Sequence, residues 1–159
     1  PYTTLFRSKI AQKKHSVKEF FQAKSNDLPF EKESFQGCLT FHFIMHLDEV
    51  IFTKTIDEVH RILSKNGTFV FDIPVKSRRK IINQNQENWH AALSFNQDEI
   101  EKFIKNKFEI RKKFGLLIIP IHRIPKRFRK YFLTFDFLLS NFGLLKNLSS
   151  YHIYELRKI

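Results

Sequence analysis

Seven histidines and a lone cysteine are the residues best able to do bond chemistry in this 159-residue chain. His42 and His46 stand four apart, the spacing that sets two imidazoles on one helix face around a divalent metal. Phe43 occupies the place where such a motif needs a glutamate, and the pair straddles the end of a strand, so no metal is expected. His46, just past that end, is placed to act as a general base; the start of the next helix suits it equally as a cap or packing residue. Cys38 lies mid-strand among apolar neighbours, which describes an inert thiol and not a nucleophile. The four glycines, Gly37, Gly67, Gly115 and Gly143, lie too far apart for a glycine-rich phosphate or cofactor loop.

Charge is the next source of chemistry. Twenty-eight basic residues against 16 acidic give a formal +12, gathered at 76–80, 111–113 and 123–130. The last cluster runs into Tyr131, Phe132, Phe135, Phe137, Leu138, Leu139 and Phe142, a cationic patch beside an apolar helix face. That pairing suits an anionic membrane surface. It also suits a phosphate-bearing or nucleic-acid acceptor, although no nucleic-acid-binding motif is present. A solvated face in a chain rich in Lys, Ile, Asn and Phe is the plainer alternative. The longest apolar stretches, 114–121 and 131–145, do not reach the roughly 18 to 20 residues that span a bilayer. No basic stretch followed by an apolar one suggests a signal, and one thiol fits a reducing compartment. A cytoplasmic protein, peripheral to a membrane at most, is the expectation.

These groups need elements to position them. With 42% hydrophobic residues the chain has material for a packed core, which excludes wholesale disorder. Val17 to Ala23 alternates as a strand, and Lys24 to Glu33 is a loop around Leu28-Pro29-Phe30. Phe35 to His42 reads as a strand apolar on both faces, as a central parallel strand is. Asp48 to Lys65 carries Ile51, Phe52, Ile56, Val59, Ile62 and Leu63 on one stripe, with Asn66-Gly67 as a left-handed exit. Thr68 to Pro74 is the next strand, so strand, helix and strand form a parallel crossover and the class is α/β. Lys76 to Ala92 is polar and partly helical. Asn96 and Glu99 make a capping box for a helix through Asn106. Phe108 to Ile119 is a strand, Pro125 opens a helix to about Asn141, and Leu148 to Arg157 is a last strand, antiparallel to its predecessor.

Four stretches, taken in order, resemble the second half of a class I S-adenosylmethionine-dependent methyltransferase of the type 11-like kind. They are Asp27-Leu28-Pro29-Phe30, Glu33-Ser34-Phe35, Phe41-His42-Phe43-Ile44-Met45-His46-Leu47, and Glu58 through Gly67 (EVHRILSKNG). The resemblance covers about Val17 to Phe114 well and the rest more loosely. It implies a Rossmann-like fold with S-adenosylmethionine as cofactor. Ser25, Asn26, Asp27 and Leu28 would line the adenine, and Phe41, His42 and Phe43 would lie near the sulfonium, with His46 as the catalytic base. Trp89 and His90 fall where relatives carry a lid over the substrate, so they would grip an acceptor or pack on the sheet. His122, Arg123 and Tyr151 bracket the last helix and would complete the acceptor pocket. The acceptor itself would be a small molecule, a lipid or a sugar-linked group. Three positions depart from the pattern: Lys24 stands where an acid commonly reads the adenine amino group, Gln36 where the strand-opening acid belongs, and the helix exit keeps one glycine.

The same resemblance implies a truncated fold. The family sheet runs 3-2-1-4-5-7-6, and strands 1 and 2 with their glycine-rich turn have no counterpart here. Residues 1–8 (PYTTLFRS) resemble a one-frame translation of a sequencing adapter, which leaves 9–159 as a partial methyltransferase domain of environmental origin. The expectations are a four-stranded sheet, an orphaned Val17 to Ala23, an aggregation-prone edge at Phe35 to His42, and a fragment inactive alone. A non-catalytic membrane-peripheral or interaction module on the same scaffold is the alternative.

Overall fold

The computed structural model describes residues 21–81, 93–121 and 124–159. Its four strands are β1 (Phe35–Thr40), β2 (Leu63–Pro74), β3 (Phe108–Leu116) and β4 (Tyr151–Lys158), in the sheet order β1-β2-β4-β3. β1 and β2 are parallel, whereas β4 is antiparallel to both of its neighbours. This is the order 4-5-7-6 that the resemblance implies for the last strands. The final strand is therefore not on an edge: it inserts between β2 and β3. Of the expected strand over Val17 to Ala23, residues 17–20 lie outside the described residues and 21–23 are irregular. Among the described residues, the outer edge of β1 pairs with no strand. Leu39 on β1 is 71% exposed.

Helix α1 (Glu49–Ile62) connects β1 to β2. Asp48 caps it by accepting the Ile51 amide at 2.7 Å, and Glu49 at one end with His60 and Arg61 at the other complement its dipole. Phe52, Ile56, Val59 and Ile62 form the buried stripe. The helix stops before the expected Lys65, because Leu63 is fully buried in extended backbone and its carbonyl takes a hydrogen bond from Lys158 Nζ at 2.7 Å. Asn66, at φ 63°, sits instead in a bulge of β2, where Leu63 faces Phe35 but Thr68 already faces Gly37.

One face of the sheet holds the core. Phe69, Phe71 and Ile73 of β2 stand in register with Leu156, Tyr154 and His152 of β4, all buried. Phe52 packs against Phe71, Phe95 and Phe103 above them. Lys76–Ile81 forms helix α2, and the rest of the segment expected to be partly helical lies outside the described residues. Helix α3 (Gln97–Ile104) opens as the capping box requires, Glu99 accepting the Asn96 amide at 2.8 Å, and buries Ile100 and Ile104.

β3 ends at Leu116, short of the expected Ile119, because Leu117 takes φ 62°. The cause lies on helix α4 (Arg129–Ser140), whose buried Asp136 accepts the amides of Leu117 at 2.9 Å and Ile119 at 2.7 Å. Pro125 precedes a short 3-10 turn (Lys126–Phe128), so α4 starts later than expected. A second such turn, Gly143–Leu148, delays the last strand to Tyr151. Gly115 permits the close approach of α4: a Cβ there would lie 2.3 Å from the Ser140 carbonyl.

Candidate functional site

Ligands of open α/β sheets gather outside the carboxyl ends of the parallel strands. Here those ends are Phe41 to His46 after β1 and Asp72 to Pro74 on β2. Asp72 is buried, 6% exposed, in an otherwise apolar strand. Its Oδ1 accepts the His42 backbone amide at 2.7 Å, and its Oδ2 lies 3.7 Å from His42 Nδ1. That carboxylate holds His42 in a left-handed conformation, φ 51°, which costs a residue with a Cβ about 1 kcal/mol. The imidazole is 70% exposed, and the Tyr151 ring meets it edge-on at 5.6 Å. Asp72 thus lies beside Nδ1 while most of the imidazole stays open to solvent, an arrangement that suits a proton acceptor.

The sequence-predicted residues divide into groups. His42 and Tyr151 come together. Phe41 and Phe43 flank them with 49% and 39% of their surface exposed, an apolar shelf able to take a flat ring. His46 is exposed on a 3-10 turn (Ile44–His46), and its backbone amide bonds Phe43 O at 3.0 Å. Ser25 to Leu28 dock elsewhere, on α1. Ser25 Oγ shares a 2.9 Å hydrogen bond with Thr55 Oγ1, and the Leu28 amide donates to Glu58 Oε2 at 2.9 Å. Asn26 is half-buried, while Asp27 is exposed and closes a turn onto Lys24 O at 3.1 Å. Among the described residues, no hydrogen bond, ion pair or ring contact joins this loop to His42. Trp89, His90, His122 and Arg123 lie outside the described residues.

Arg61 fixes the loop. Its guanidinium donates to Phe30 O at 2.8 Å, to Leu28 O at 3.0 Å and to both Glu58 oxygens at 2.9 Å. The Arg61 bond, followed by the Leu28 amide, holds the Glu58 carboxyl below its usual range. The clamp is complete above the ordinary carboxylate pKa and is lost as pH falls through the lower folded value. Cys38 is half-buried, and burial pushes its thiol up, the direction of an unreactive group.

The sequence assigned no role to three residues that the structure shows holding loops or strand ends in place: Asp72, Arg61 and Asp136. Asp72 carried a legible signal, a carboxylate inside the apolar run Thr68 to Pro74, which a buried strand tolerates only when it is partnered. Arg61 gave no signal of its own, since its partners lie some 30 positions upstream.

The last four strands, the crossover and the site at their carboxyl ends can be compared with known proteins. Residues 3–71 match the model of a methyltransferase domain. A methyltransferase of Thermotoga maritima, described as a possible histamine N-methyltransferase, superposes with a TM-score of 0.68 at 18% identity, covering 96% of this chain and 69% of that one. The chain has the class I methyltransferase fold. A second methyltransferase, from Methanosarcina mazei, gives a TM-score of 0.65 at 13% identity over 96% of this chain and 77% of its own. Geranyl diphosphate C-methyltransferase of Streptomyces coelicolor, solved with Mg2+, geranyl diphosphate and S-adenosyl-L-homocysteine, gives 0.57 at 14% identity over 87% of this chain and 52% of its own. A search of curated protein sequences found no match. The His42–Asp72 pair stands at the carboxyl ends of the two parallel strands of that fold, β1 and β2.

Proposed function

We propose that this chain forms one wall of an S-adenosylmethionine-dependent methyltransferase site acting on a small-molecule, lipid or sugar-linked acceptor. The observation that carries the reading is the His42–Asp72 pair beside Tyr151, at the strand ends where this fold does its chemistry. The residues present fit the cofactor in part. Phe41 and Phe43 offer an apolar surface for a nucleoside, and Asn26 is half-buried on the neighbouring loop. Nothing here forms a glycine-rich turn for the methionine end, since the four glycines are scattered.

When bound, the cofactor supplies an electrophilic methyl on a sulfonium. The residues of this chain do the remaining work. His42 accepts a proton from the acceptor, and Asp72 is its positioning residue, holding the His42 backbone amide and lying beside the ring. His42 supports the proton-accepting role better than His46 does, because it alone of the two has a buried carboxylate partner.

Two measurements test this. Calorimetry with S-adenosylmethionine should show no micromolar binding by the 159-residue chain and clear binding by a product of the gene extended upstream. Micromolar binding by the chain alone would refute the one-wall reading. In the extended product, transfer of labelled methyl to a panel of small-molecule, lipid and sugar acceptors should fall at least about tenfold in Asp72→Asn and further in His42→Ala. Unchanged rates in both variants would remove His42 from the chemistry.

A further inference from the structure

Helix α4 turns its two faces to different surroundings. Asp136 and Ser140, buried, face β3 and the loop beyond it. On the opposite side Tyr131, Phe135 and Leu138 follow one another at i, i+4 and i+7, with Phe142 just past the helix end, and 65%, 53%, 64% and 74% of their surfaces are exposed. Large rings in such numbers are not left in water on an ordinary solvated face. At the N-terminal end stand Lys126, Arg127 and Lys130, all exposed. Arg127 lies over the Phe128 ring at 4.6 Å and Lys130 over the Tyr131 ring at 4.9 Å. No acid occupies the first turn of α4, and over residues 121–150 the only acid is the buried Asp136. Cations crowded at the positive end of a helix dipole oppose helix formation, so this arrangement breaks a local rule. An anion at that end removes the conflict.

From this we infer that α4 and its leading turn lie on the surface of an anionic phospholipid bilayer, with Lys126, Arg127 and Lys130 among the headgroup phosphates and the aromatic stripe in the interfacial layer. Twelve residues make a helix of about 18 Å, too short to cross a bilayer and suited to lying along one. The charge argues for an anionic lipid occupant over a second copy of this chain, because this surface, whose region 121–150 has Asp136 alone as an acid and buries it, offers a second copy no carboxylate to pair with these cations. It also argues against coverage by further strands joined at β1, since α4 packs on β3 at the opposite edge of the sheet. The stripe lies at the same end of the sheet as Tyr151 and His42, through Ser150, which bonds Leu117 O and Val75 N. A lipid-resident acceptor would therefore approach along the membrane. The docking itself does not depend on methyl transfer.

Flotation with phosphatidylcholine vesicles, with and without about a third phosphatidylglycerol, tests the inference on the full chain. Binding is expected only to the anionic vesicles and should weaken at high salt. Each cation near the surface contributes about fivefold in affinity, so Arg127→Glu with Lys130→Glu should weaken binding at least about thirtyfold. Phe135→Ser with Leu138→Ser should weaken it independently. Lys54→Glu with Lys65→Glu, equal in charge change but on other exposed positions, should leave flotation nearly intact. All these side chains are exposed, and unchanged far-UV circular dichroism should show that each variant keeps the fold. Equal flotation of Arg127→Glu/Lys130→Glu and wild type would overturn the inference. So would a lipid-free dimer abolished by Phe135→Ser/Leu138→Ser, or a preference of the same surface for an oligonucleotide over vesicles.

Discussion

Burial of His152 makes the fold sensitive to mild acid, and the size of the effect follows from the structure. The ring is 2% exposed on β4, and its Nε2 lies 3.0 Å from Lys146 O. A carbonyl only accepts, so Nε2 carries the hydrogen and Nδ1 is left as a bare lone pair, buried and with no hydrogen-bond partner. Protonating Nδ1 would place a charge in the core, and that burial lowers the pKa from the usual 6.5 to about 4. Between those two values the unfolded chain binds the proton and the folded chain does not. Stability from this group is therefore complete above pH 6.5 and is lost as pH falls toward 4. At about 1.4 kcal/mol per pH unit the full loss is about 3 kcal/mol, of which about 2.5 kcal/mol has gone by pH 4.5. His60, lowered first by burial and then by Lys158 and Lys107, acts in the same sense. His152→Gln keeps a donor for Lys146 O and cannot titrate. Urea unfolding of both proteins from pH 7.5 to 4.5 should show the variant less stable by about 1 kcal/mol at the upper end and more stable than wild type at the lower. A difference between the two proteins that stays flat across that range would refute the reasoning.

Other outcomes follow from contacts on the same structure. Gly115→Ala would set a Cβ 2.2 Å from Ser149 Oγ and 2.3 Å from Ser140 O, forcing α4 off β3; thermal unfolding should report a loss of about 1 to 3 kcal/mol. Asp136→Asn replaces an acceptor with an amide facing two backbone donors and should cost about 1 to 3 kcal/mol in the same assay. Arg61→Met releases the carbonyls of Leu28 and Phe30, so a lysine-specific protease should cut at Lys24 and Lys32 several-fold faster than in wild type, and equal rates would show that the clamp is not what orders the loop.

Local chemistry made much of this fold legible in advance. The stripe of α1, the Asn96–Glu99 capping box and the run Thr68 to Pro74 each state their own geometry in a few consecutive residues. The α1 exit was misplaced because Asn66-Gly67 carries a turn signal that serves a bulge as well as a helix end. What ended the helix was the burial of Leu63 and the reach of Lys158, 95 positions away. The insertion of β4 between β2 and β3 does not follow from alternation, which predicts a strand but not its neighbours; the family order 3-2-1-4-5-7-6 is what made it legible. In the site, the sequence singled out His42 at a strand end and Tyr151 beside the last helix, each on its own. Their meeting, and the part of Asp72, depend on pairing of β2 with β4, which brings Pro74 opposite Tyr151.

Among the described residues the outer edge of β1 is unpaired, which gives the sheet a direction of growth. Its outward amides and carbonyls form a parallel docking rail, and strand addition at such a rail needs only backbone and a matching pleat.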